Sequence, residues 1–168
     1  MARSTFYVYF SDRGDLLQTL GRDAISEIIE AGLPWLTVGS DASPARLRAI
    51  LTDVVGTYRR HGELMVAMTE ESAQDERVRT EFRRLHDTGL RTLAAAVERG
   101  QGEADTGLDA EMTARWLMAM LERGLYLLAA VTSEETVERA VDTLTTLVWN
   151  MLYMPATVVS GTASSARP

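Results

Sequence analysis

The chain opens Ala2-Arg3-Ser4-Thr5-Phe6-Tyr7-Val8-Tyr9-Phe10 and continues Ser11-Asp12-Arg13-Gly14-Asp15-Leu16-Leu17. Read physically, this is a short polar-aromatic helix, a tight break, and the capped start of a long helix. Ser11 and Asp12 offer side-chain oxygens to the free N–H groups of a helix start, and Asp15 adds an acid to the first turn, where the helix dipole favours it. Leu16, Leu17, Leu20, Ala24, Ile25, Ile28 and Ile29 then recur at helical spacing, which predicts a helix over roughly Asp12 to Ala31.

Working outward, Gly32-Leu33-Pro34 predicts its end, because Gly caps and Pro cannot continue. Ser43-Pro44 reads as an N-cap and a first-turn proline, opening a helix with Leu47, Ile50, Leu51, Val54, Val55 and Tyr58 on one wide apolar stripe. Arg59-Arg60-His61-Gly62 closes it, and Glu63 to Glu71 forms a short helix. From Ser72 to Arg99 a long helix carries Val78, Phe82, Leu85, Gly89, Leu93 and Ala96 on one face; Arg77, Arg79, Glu81, Arg83 and Arg84 read as solvated. Gly100 to Gly107 reads as a loop, and Asp109 as the cap of a helix containing Trp116-Leu117-Met118-Ala119-Met120-Leu121. Thr132-x-x-Glu135 reads as a capping box for the last helix, with Val137, Val141, Leu144, Val148, Met151 and Leu152 on one seam, ended by Pro155. Residues 156–168 are small and polar without periodicity and are expected to be disordered. The fold class is therefore all-α.

Composition narrows the function. At 168 residues and 46% apolar content the chain suits one compact domain, and no apolar run approaches a membrane span. The absence of cysteine removes disulfides and thiolate chemistry and fits a cytoplasmic location. A formal charge of −7 makes the body repel nucleic acid, so DNA contact needs a local basic patch, for which Arg3, Arg13 and Arg22 are candidates. No enzyme is expected. His61 and His86 are the only histidines and neither has a partner at metal-ligand spacing; nucleophile-elbow, phosphate-loop and zinc-protease motifs are absent. No catalytic residue, metal or cofactor is assigned.

Two surpluses of apolar surface remain. The helix from Trp116 to Val131 is apolar nearly all round, broken by Glu122 and Arg123, so it must be buried on more than one side. A two-fold four-helix bundle, two helices from each copy, meets that need with one self-complementary patch. Leu117, Gly124, Leu128, Val141, Leu144, Val148 and Leu152 are the expected interface residues. The middle helices also carry large, adaptable side chains, including Met65, Met68, Met118 and Met120; this inventory fits a ligand pocket and a plain core alike. Tyr58, Thr113, Arg123 and Asn150 are possible polar handles, and Glu122-Arg123 reads equally as an internal ion pair.

The opening stretch resembles the end of the helix-turn-helix domain in TetR/AcrR-family transcriptional regulators. There a Thr-aromatic-Tyr-x-x-Phe recognition helix precedes Pro-Ser-Lys-Glu-x-Leu at the start of a connecting helix. Thr5-Phe6-Tyr7-Val8-Tyr9-Phe10 matches closely, and Ser11-Asp12-Arg13-Gly14-Asp15-Leu16 matches with Arg13 for Lys and without the Pro. The aromatics Tyr7, Tyr9 and Phe10 look most like the EthR-type branch. The resemblance implies a repressor that binds operator DNA, dimerises through its last two helices, and holds a hydrophobic small-molecule effector. Carried onto this chain, DNA contacts fall to Arg3, Ser4, Thr5, Tyr7, Tyr9 and Arg13. Effector contacts fall to Trp35, Val54, Tyr58, Met65, Met68, Phe82, Trp116, Met120, Arg123 and Tyr126. Effector binding would tilt the connecting helix and so respace two recognition helices. The implied division is a helix-turn-helix remnant over 1–11, an effector-binding and dimerisation domain over 12–155, and a tail over 156–168.

One departure bears on DNA binding. The helices that should precede the motif do not stand before Met1, so Phe6 and Phe10 lack partners whose burial is worth about 1.5–3 kcal/mol each. The first ten or so residues are expected to fray or to repack against something unusual, and this chain to bind DNA weakly. The alternative reading is a stand-alone helical small-molecule binder or dimerising protein with no DNA role.

Overall fold

The structure, a computed structural model, describes residues 12–37, 42–104 and 108–154. The readings of residues 1–11 and 156–168 lie outside these. Six α-helices follow in order: α1 (Arg13–Gly32), α2 (Pro44–Arg60), α3 (Gly62–Ser72), α4 (Glu76–Ala104), α5 (Ala110–Ala129) and α6 (Glu134–Leu152). A 3-10 turn, Leu33–Thr37, joins α1 towards α2, and no strand occurs among the described residues. The protein is all-α, as the periodicity requires.

The caps account for most of the boundaries. Asp12 Oδ1 accepts the Asp15 N–H at 2.9 Å, Ser43 Oγ the Arg46 N–H at 3.2 Å, and Asp109 Oδ1 the Met112 N–H at 2.7 Å. One boundary falls where expected and three do not. α1 ends at Gly32, and the chain tightens there, in right-handed geometry, into the 3-10 turn, where Pro34 sits in the first turn and has no N–H to lose. Ser133, not Thr132, caps α6 by accepting the Thr136 N–H at 3.3 Å, serine being the stronger capping residue of the two. The Ser72 start is displaced to Glu76, because Asp75 Oδ1 accepts the Arg77 N–H at 2.8 Å and turns the chain there. At its other end α4 continues to Ala104, through half of the expected loop.

Two helices carry the packing. α4 lies against α1, α3 and α5, while α2 lies against α1, α5 and α6. Leu47, Leu51 and Val55 of α2 meet Val97 of α4, Leu117 of α5, and Val148 and Leu152 of α6 in one core, each 2% exposed or less. Arg59 ties the end of α2 to the α5–α6 connection, donating to Val131 O and to Glu134, both at 3.0 Å. Gly21 permits the close approach of α1 to α3, since a Cβ there would lie well inside contact distance of the fully buried Met68 thioether. Gly21→Ala is therefore expected to be a net loss of about 1–2 kcal/mol, the overpacking exceeding the gain in helix propensity. Urea unfolding should also show that Gly21→Ala with Met68→Ala costs less than the two single changes summed.

Glu81 corrects the reading of α4's outer face as wholly solvated. It is 7% exposed, with Oε1 accepting from Arg22 Nε at 2.8 Å and from Arg84 Nη2 at 2.7 Å. The Arg84 bond, followed by that of Arg22, outweighs desolvation and lowers its pKa from 4.5 to about 2. In the unfolded chain the carboxyl takes a proton near 4.5, whereas the folded one holds off until about 2. Its contribution is thus complete above pH 4.5 and is lost as pH falls towards 2. Glu81→Gln is expected to lower stability by about 1–3 kcal/mol at neutral pH and to flatten the acid limb of a urea-midpoint profile. An acid limb unchanged by the substitution would contradict this.

Candidate functional site

Between the helices lies an apolar cavity of about 180 Å³. One wall is the C-terminal half of α1, where Ile25, Ile28, Ile29 and Gly32 recur at three- and four-residue spacing. Trp35 and Leu36 of the 3-10 turn close one end, and Leu51, Val54 and Tyr58 of α2 form the next wall. Met65 comes from α3; Phe82, Leu85, Gly89, Leu93 and Ala96 from α4; and Met118, Leu121 and Leu125 from α5. The Trp35 indole is held in place by its Nε1–H, which donates to the Tyr153 hydroxyl at 2.9 Å; Tyr153 in turn stacks on Trp149 with ring centres 4.7 Å apart.

Few polar side chains reach this space. Thr92 donates to the Thr88 carbonyl of its own helix at 3.0 Å. His86 Nδ1 and Glu122 Oε1 bond at 2.6 Å, linking α4 to α5 across the cavity edge. Tyr58 is 7% exposed, and its phenol hydroxyl has no hydrogen-bond partner among the described residues. Burial, then the charges of Glu122 and Tyr126, raise its pKa, so the phenol stays protonated at neutral pH.

Of the ten candidate effector residues, Trp35, Val54, Tyr58, Met65 and Phe82 are brought together on this cavity. Met68 is instead packed beneath Gly21 at the α1–α3 crossing. Trp116, 73% exposed, and Met120 lie on the outer side of α5. Arg123 and Tyr126 lie outside the lining, with the guanidinium 5.3 Å from the ring centre. Glu122 pairs with His86 rather than with Arg123, so the internal pair expected between sequence neighbours does not form; adjacent residues on a helix point in different directions. Among the other polar candidates, Thr113 is buried away from the cavity and Asn150 is exposed. Sequence reasoning missed the isoleucines of α1, whose spacing was legible, and the His86–Glu122 pair, whose members stand 36 positions apart on different helices.

The seven expected interface residues divide in two. Leu117, Val141, Val148 and Leu152 point into the protomer's own core. Gly124, Leu128 and Leu144 line a shallow groove between α5 and α6, together with Met120, Leu127, Ala140 and Leu147. Both helices have two apolar faces, and the seam chosen from the sequence on α6 is the one that packs against α2. Leu127, Leu147 and Trp116 remain more than half exposed on the other face.

Among the expected DNA contacts, Arg3, Ser4, Thr5, Tyr7 and Tyr9 lie outside the described residues. Arg13 opens α1 with its side chain 68% exposed, its Nε 3.5 Å from Glu71. Arg22 is turned towards Glu81. Among the described residues, no group of three or more His, Cys, Asp or Glu is arranged to hold a metal ion, and no helix is long and apolar enough to cross a membrane.

The helix order and packing are those of a TetR-type all-α C-terminal domain. A family model described as BetI-type transcriptional repressor, C-terminal, matches residues 43–152, and the chain belongs to this family of TetR regulators. The match runs from the Ser43 cap of α2 to the end of α6; α1, which supplies one wall of the cavity, precedes it. Tyr7, Tyr9 and Phe10, on which the EthR-like resemblance rests, lie outside both the matched and the described residues. No curated protein and no solved structure gives a significant match.

Proposed function

We propose that the protein is a ligand-responsive repressor of the TetR family, in which residues 12–155 bind a hydrophobic effector and dimerise. DNA contact falls to the segment N-terminal to α1, with Arg3, Ser4, Thr5, Tyr7, Tyr9 and Arg13 as its residues in this chain, in the cytoplasm. The observation that carries this reading is the double duty of α1. Its second half lines the cavity through Ile25, Ile28 and Ile29, and its first turn follows in sequence on the opening stretch that carries the aromatic motif. At that first turn Arg77 of α4 holds Asp12 at 2.9 Å and Asp75 at 2.8 Å, while Arg13 faces Glu71 of α3. A ligand that pushes the far half of α1 therefore acts on a helix whose near end is braced. To relieve repression it must bind the DNA-incompetent arrangement more tightly than the competent one.

The groove-side face of α5 and α6 supplies the dimer contact in this reading. Trp116, Met120, Leu127 and Leu147 are large apolar side chains left to solvent along two helices that share a groove. A second copy related by a two-fold axis covers both faces at once. Hydrogen–deuterium exchange with and without a neutral apolar ligand such as N-phenyl-1-naphthylamine tests the lever. Amides of 25–32 and 82–96 are expected to exchange more slowly with ligand bound. Slowing confined to other segments, or none at all, would contradict the reading.

A further inference from the structure

The Tyr58 hydroxyl is a buried polar group on the cavity wall with no hydrogen-bond partner among the described residues. A buried hydroxyl without a partner keeps its full desolvation cost, and such groups in native proteins are seldom left unpaired. Tyr58 is only 7% exposed; its ring belongs to the buried core cluster, and the residue also lines the cavity. Trp35 and Thr92, the neighbouring donors, are already bonded, to Tyr153 and to the Thr88 carbonyl. The phenol is thus a donor held in an apolar wall with no acceptor bonded to it among the described residues.

The charge around it selects what that receiver can be. Glu122 lines the same space, and its charge reaches the phenol. Among the described residues His86 is the only basic side chain in the lining, and it is committed to Glu122 at 2.6 Å. No arginine of the described residues lines the cavity. A carboxylate or phosphate brought to Tyr58 would lose its hydration, face Glu122, and find no free cation. An uncharged oxygen carries no such penalty.

We propose that the effector is an uncharged amphiphile, an apolar chain or ring system lying between α1 and α4 with one hydroxyl or carbonyl oxygen that accepts the Tyr58 O–H. The inference rests on the cavity being the effector site and goes on to state the ligand's chemical class and its anchoring residue. Anionic amphiphiles of the same length are discriminated against by Glu122.

Competition against bound N-phenyl-1-naphthylamine, followed by its fluorescence, reads this directly with the full chain. Dodecanol and dodecanoate, both below their aggregation concentrations, share an apolar tail and differ at the head. The alcohol is expected to displace the reporter at about tenfold lower concentration than the carboxylate. In Tyr58→Phe, which keeps the ring and its packing, the alcohol is expected to weaken about fivefold to tenfold relative to the reporter. In Glu122→Gln, at a half-exposed position, dodecanoate is expected to gain on dodecanol. Equal competition by alcohol and carboxylate in the wild type overturns the proposal, as does undiminished alcohol binding in Tyr58→Phe. Failure of the wild type to bind the naphthylamine at all overturns the effector-cavity reading beneath it.

Discussion

Leu127→Arg is expected to weaken self-association about 100-fold or more while leaving the fold intact. Leu127 is 54% exposed and stands on the groove side of α5 between Gly124 and Leu128. In the proposed two-fold dimer each substitution counts twice, because the same patch meets itself across the axis. Desolvating an unpaired guanidinium there costs well over the 2 kcal/mol typical of an interface hot spot, and 2.7 kcal/mol is about 100-fold in affinity. Sedimentation at several concentrations should give a monomer of 18.5 kDa for the variant and twice that for the wild type. Thermal unfolding of the variant protomer should change little. Leu117→Ala supplies the contrast: Leu117 is 1% exposed and packs inside the protomer, so its truncation is expected to cost about 2–5 kcal/mol of folding stability. If Leu127→Arg dimerises as the wild type does, the α5–α6 face is not the interface.

Gly89→Leu is expected to separate stability from ligand binding. Gly89 lines the cavity from the middle of α4, and a Cβ there meets only the terminal methyl of Met118, at 3.2 Å. That methyl ends a flexible side chain and can turn aside. Removing a glycine from a helix interior stabilises it by about 1 kcal/mol, so the variant should unfold no earlier than the wild type. Its side chain, however, occupies the space between α4 and α5 that a guest would need. Affinity for N-phenyl-1-naphthylamine is expected to fall about tenfold or more, equivalent to about 1.4 kcal/mol. A core without a guest site predicts the opposite pairing: destabilisation from overpacking and no binding to lose.

The helices were legible because their determinants are local. Asp12, Ser43 and Asp109 cap where their side chains can reach the third residue on, and the stripe from Leu47 to Tyr58 names its own buried face. Ser133 displaced Thr132 by one position because two capping residues stood side by side. The candidate site was legible only in part, since it depends on which of two apolar faces turns inward. Periodicity gives α5 a surface apolar on nearly every side, but it does not say that Leu117 and Leu125 face the core while Trp116 and Leu127 face out. That choice is made by α2 and α4 packing against it, which is tertiary information. The same holds for charge. Glu81 reads as one more surface acid on α4 until Arg22, 59 positions away on α1, is brought alongside it. The His86–Glu122 pair has the same origin: each residue is ordinary alone, and the crossing of α4 and α5 makes them a pair.

Native mass spectrometry of the full chain with a neutral apolar ligand tests the central claim most directly, because it reads the sister copy and the guest together. The expected spectrum shows a species of twice 18.5 kDa that takes up one ligand per protomer, with uptake strongly reduced in Gly89→Leu. A single 18.5 kDa species that takes up nothing would contradict the account.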